Sequence, residues 1–114
     1  MSGIVSSGGL APDGGAQRPR SIESRQDLLQ LQRASDVSLV PHPERVDSVV
    51  ARFWNGDHRC YGAMSKVTET PAAVTVEIFT GVLPEADGQP CTAVAELQDL
   101  EIELTAPLGG RALR

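Results

Sequence analysis

From Val46 onward the apolar positions recur with a period of two, the spacing that sets alternate side chains on one face of a β-strand. Val46–Trp54 holds two interleaved sets, Val46, Ser48, Val50, Arg52 and Trp54 against Asp47, Val49, Ala51 and Phe53. Asn55-Gly56 follows at once. This dipeptide suits a type I′ hairpin, because both central residues of that turn take positive φ. The pattern predicts a strand, a tight turn and a return strand starting near His58, with Gly62 marking a bulge or a close approach. In Val67–Gly81 the Thr70-Pro71 step breaks two strands. Val74, Val76 and Ile78 then face inward, alternating with Thr75, Glu77 and Phe79. Leu83–Pro90 carries the residues of a loop.

The last run, Cys91–Thr105, alternates clearly at its end, with Leu100, Ile102 and Leu104 against Asp99, Glu101, Glu103 and Thr105. Its start, Ala93–Leu97, suits helix or strand, and the alternating half favours strand. Pro107 stops it, and Leu108–Arg111 is a loop. Four to five strands with short connections make a mainly β domain, a small antiparallel sheet or sandwich. Glu96, Asp99, Glu101 and Glu103 read as the solvated face of the last strand, or as a lining for cations.

The segment before Val46 follows a different pattern. Residues 1–20 contain five Gly, two Pro and three Ser, and read as a disordered leader. Over residues 21–34, Ser24 and Asp27 match a capping box, and Leu28, Leu29 and Leu31 follow among good helix formers. A short helix is expected there. It would dock on the domain edge or reach a partner. Residues 35–45 hold Pro41-His42-Pro43 and predict an extended entry loop. The chain thus divides into a leader over 1–20, a helix and loop over 21–45, and a β domain over 46–114.

Charge narrows the function classes. The net charge is −5, and residues 61–114 carry three bases against eight acids. An acidic second half repels phosphate, which argues against nucleic acid and against anionic membrane surfaces. No apolar run approaches the roughly 20 residues that cross a bilayer. The first 15 residues lack the basic and apolar regions of a secretory signal.

Few residues offer chemistry. Cys60 and Cys91 fit no zinc spacing and no C-x-x-C redox motif. They suit a disulfide, two buried thiols or one reactive thiol. A bond would close a loop of about 30 residues, contributing roughly 3–4 kcal/mol to a small core, and pairing is the favoured reading. His58 with Asp57 and His42 is a weak metal or hydrolase set, since further ligands and an oxyanion pocket are wanting. No cofactor fingerprint is present. Arg52, Trp54 and Tyr61 are residue types common at interfaces and offer a possible binding surface, although core packing around a hairpin is the favoured reading.

Arg52–Gly56, Cys60-Tyr61-Gly62, Val67–Thr70, Val74–Gly81, Cys91 and Pro107-Leu108-Gly109-Gly110-Arg111 together resemble a group of small actinobacterial proteins, often exported or lipid-anchored. They share a Trp-x-Gly…Cys…Cys…Pro-Leu-Gly-x-Arg order, matched here over about residues 46–113. The resemblance implies a β domain at the cell surface with Cys60 paired to Cys91, and it implies no activity. The expected function is a non-catalytic extracytoplasmic accessory or binding domain. The alternatives are a small hydrolase or metal enzyme around His58, and a cytosolic subunit docking through residues 21–34.

Overall fold

The computed structural model describes residues 18–114, so most of the expected leader over 1–20 lies outside the described residues. Eight strands follow one another: β1 (Arg20–Ile22), β2 (Leu29–Arg33), β3 (Ser38–Pro41), β4 (Ser48–Asn55), β5 (Tyr61–Glu69), β6 (Ala73–Val82), β7 (Glu96–Glu103) and β8 (Ala112–Leu113). They form two four-stranded sheets. The first has the order β1-β7-β4-β3. In the second, β6 lies between β2 and β5, and β8 also pairs with β6. The pairings are antiparallel except for β1 on β7 and β8 on β6.

The inward side chains of both sheets meet in one core, as a sandwich requires. Val49, Ala51, Phe53, Leu100 and Ile102 come from the first sheet, and Ala63, Val74, Val76 and Ile78 from the second. Of the two sets on Val46–Trp54, the one holding Phe53 faces in. Trp54 is 53% exposed. The inward sets expected on β6 and β7 are the ones buried.

The expected helix over 21–34 is not formed; that segment supplies β1 and β2 instead. Gln30 sits at φ 54°, a left-handed conformation that no continuous helix passes through. The leucines also fail to share a face. Leu28 is buried, while Leu29 and Leu31 point outward. Leu28 settles over the cross-strand pair Gly62 and Gly81, where a Cβ on Gly81 would come within 2.6 Å of the Leu29 carbonyl oxygen. Gly62 therefore marks a close approach, in unbroken register with Gly81. The expected entry loop is likewise partly a strand. β3 pairs with β4 along the sheet edge and ends at Pro41, where a missing N–H is tolerated.

Asn55-Gly56 makes no hairpin. β4 pairs with β3 and β7, β5 pairs with β6, and residues 56–60 carry the chain from one sheet to the other. Gly56 is absent from the positive-φ residues. It is small because the Tyr61 ring lies against it, 2.5 Å from where a Cβ would sit. The hairpin is at the Thr70-Pro71 break instead, where the Thr70 hydroxyl accepts the Ala73 N–H at 3.0 Å. The strand expected over Cys91–Thr105 is β7, which starts at Glu96, and residues 91–95 are neither helix nor strand.

Candidate functional site

Two of the five connections that pass between the sheets lie together at one end of the sandwich. Residues 56–60 carry the chain out of β4, and residues 83–95 carry it back into β7. Cys60 and Cys91 form a disulfide that joins them, with the Cα atoms 6.2 Å apart. A network of hydrogen bonds runs beside the disulfide. Asp57 is 2% exposed and accepts hydrogen bonds from the Arg59 backbone and guanidinium, at 3.0 Å for both the N–H and Nε. It also accepts from the Thr92 hydroxyl on the opposite crossover. Glu96 accepts from His58, whose Nδ1 lies 2.9 Å away, and from Gln98, which is fully buried and in turn accepts from Asn55. The hydrogen bonds from Arg59 and then Thr92 hold the Asp57 carboxyl well below the ordinary carboxylate range. Burial, the largest single influence, would raise the Glu96 carboxyl; the hydrogen bonds from His58 and Gln98 and the nearby His58 charge together outweigh it and hold the group below its ordinary value.

Asp57, His58 and Glu96 bring three donor atoms within 4.8 Å of one another, a spacing that suits a cation. Their lone pairs are already committed. Each Asp57 oxygen accepts from Arg59, so an entering ion would have to displace a guanidinium held by two bonds. The group works as a clasp across the two crossovers. Glu96 belongs to this clasp and lies on the same side of β7 as Gln98 and Leu100. It therefore leaves the solvated row of acids in which the sequence pattern grouped it.

His42 stands at the other end of the first sheet. Its Nδ1 accepts the N–H groups of Glu44 and Arg45 at 3.0 and 3.1 Å. The ring proton is thereby left on Nε2, which faces Glu101 at 3.6 Å. His42 thus closes the turn between β3 and β4, and the fold does not bring it together with His58 and Asp57. Arg111 closes the same end of the sandwich. Its guanidinium donates to the carbonyls of Ala106, Pro107 and Leu108 at 3.1, 2.8 and 3.2 Å, and to Glu69 at 3.2 Å.

The outer face of the first sheet is built differently. Val50, Arg52 and Trp54 of β4 stand there beside Glu101, Asp99 and Leu97 of β7, which are their cross-strand partners. The Arg52 guanidinium grips Asp99 through two bonds of 2.8 and 3.1 Å, and this raises the Arg52 pKa. Residues 21–24 form one rim of a groove and residues 40–43 the other. Val50, Arg52, Asp99, Glu101 and Glu103 make its floor, and its volume is about 790 Å³. Val40, on the second rim, is 47% exposed. Of the three residues that sequence singled out for binding, Arg52 and Trp54 share this face. Tyr61 lies on β5 of the second sheet, packed against Gly56 and the small cluster of Leu28, Cys60, Leu83 and Ala86.

Sequence reasoning missed the groove, because its rims come from segments read as a helix and as a loop. The alternating acids on β7 were its one visible signal. Among the described residues no helix is long and apolar enough to cross a membrane. The chain matches no protein-family model, no curated protein and no solved structure.

Proposed function

We propose that this chain is a non-catalytic extracytoplasmic binding or accessory domain, and that it meets a protein partner on the outer face of its first sheet. One observation carries the reading: Trp54, the single tryptophan of the chain, stands 53% exposed beside a groove that an Arg52–Asp99 pair and Val50 floor. A large aromatic held in water on a rigid strand is a common interface anchor, since burying it on a partner recovers its hydrophobic transfer energy at little cost in order. The residues behind the resemblance to exported actinobacterial proteins sort in the same direction. Gly56, Cys60, Cys91 and Arg111 each hold the scaffold, whereas Trp54 does not. The disulfide supports an oxidising compartment.

Photo-crosslinking tests this reading in the cells that make the protein. A photoreactive residue at position 54 is expected to give one discrete protein adduct, and the same residue at position 66 on the second sheet none. The same adduct from both positions, or none from position 54, would contradict it.

A further inference from the structure

The floor of the groove has a regular charge pattern. Asp99, Glu101 and Glu103 stand on one side of β7, each two residues from the next, so their carboxylates repeat about every 6.8 Å along the strand. An extended peptide repeats alternate side chains at the same interval. The rims come from β1 and β3, the two edge strands, which lie three strand spacings apart, roughly 14 Å. That width admits one extended chain lying along the floor between the rims.

Two arginines of the chain itself indicate which group the carboxylates accept. Arg52 takes Asp99, as described above. Arg45 reaches in from the turn after β3, with Nη1 3.1 Å from Glu101 and Nη2 3.6 Å from Glu103. Negative charge remains after these pairings. Four acids, Glu23, Asp99, Glu101 and Glu103, line the groove against two arginines, Arg52 on its floor and Arg45 at its end, and Glu103 keeps 76% of its side chain in water. Val40, Val50 and Pro41 provide apolar surface beside the carboxylates.

We infer that this groove takes an extended basic segment of a protein partner, with arginine or lysine at alternate positions aimed at the β7 carboxylates. The inference rests on the binding role proposed above and names the class of ligand. Basic side chains at positions i and i+2 meet Glu101 and Glu103, the more exposed acids, while Arg52 keeps Asp99, and their aliphatic stems lie along Val40 and Val50. The intervening side chains point away from the floor. Complementary charge of this kind sets orientation and speeds encounter more than it raises affinity, and it weakens with salt.

The test uses the full chain and two synthetic octapeptides, four Arg-Val repeats and four Glu-Val repeats, followed by Trp54 fluorescence and calorimetry. The basic peptide is expected to bind one to one and to weaken as salt rises. The acidic peptide is expected not to bind. Glu101→Gln with Glu103→Gln removes two exposed carboxylates without touching the core, and is expected to weaken the basic peptide about tenfold. Glu77→Gln, on the second sheet, is expected to leave it unchanged. Equal binding of both peptides, or an unaltered affinity in the double variant, would overturn the inference. An adduct at position 54 with no binding of the basic peptide overturns the ligand class and spares the binding face; absence of both overturns the two together.

Discussion

Phe53→Ala is expected to cost about 3–5 kcal/mol of folding stability, and Trp54→Ala, one residue along the same strand, less than about 1 kcal/mol. The contrast follows from strand geometry. Phe53 is 1% exposed among Val49, Ala51, Ile78 and Leu100, where both sheets contribute to its surroundings. Truncation there removes a large apolar surface and leaves a cavity that neither sheet can close without losing its register. Trp54 points to the other side of the sheet. A small domain has roughly 5–15 kcal/mol in all, so the Phe53 variant should melt at least about 12 °C lower. Thermal and urea unfolding of the two variants beside the parent measure both effects. A Trp54→Ala variant as damaged as Phe53→Ala would mean that the tryptophan holds the fold, and would remove the main support for the binding face.

Replacing Cys60 and Cys91 together by serine is expected to cost about 3–4 kcal/mol, because the bond closes a loop spanning 31 positions and restricts the unfolded chain accordingly. In the folded state the same bond joins the two crossovers. Without it, the return segment over 83–95 keeps the Leu83 N–H bond to the Cys60 carbonyl, the Thr92–Asp57 and His58–Glu96 contacts, and the ion pair of Arg25 with Glu85. The variant should therefore fold, with a lower urea midpoint and with faster amide exchange concentrated in residues 57–60 and 83–95. Parent protein in excess reductant should behave the same way. A loss below about 1 kcal/mol in both experiments would show that the hydrogen bonds alone secure these two connections and that the bond contributes far less than loop closure predicts.

The legible parts of this fold are those in which burial acts directly on local pattern. Val74, Val76 and Ile78, and Leu100 and Ile102, alternate because one side of each strand faces the core. Thr70-Pro71 reads as a break because proline cannot continue the ladder. The pairing of the two cysteines is legible because a loop of this length gains from closure in a domain with a small core. The N-terminal third was not legible, because its structure depends on distant partners. β1 pairs with Gln98–Leu100, more than 70 positions away, and Leu28 finds its place only where Gly62 and Gly81 clear the surface of the second sheet. Nothing local distinguishes such a segment from a short amphipathic helix. Asn55-Gly56 misled for a related reason. Its hairpin signal is local, yet Asn55 instead bonds its own Gly56 N–H, the Gly62 carbonyl and the buried Gln98, which turns the chain toward the other sheet. The candidate face was half visible. Parity placed Arg52 and Trp54 on one side of a strand, whereas the groove beside them needed residues 21–24 and 40–43 to converge across the sheet.

A β-sandwich with two of its connections between the sheets tied covalently should keep that bond in the compartment where the protein works. Alkylation of the protein taken directly from its own cells, followed by intact mass, tests this most directly. The account predicts no alkylated thiol before reduction and two after it, whereas two thiols that react freely in the unreduced native protein would contradict it.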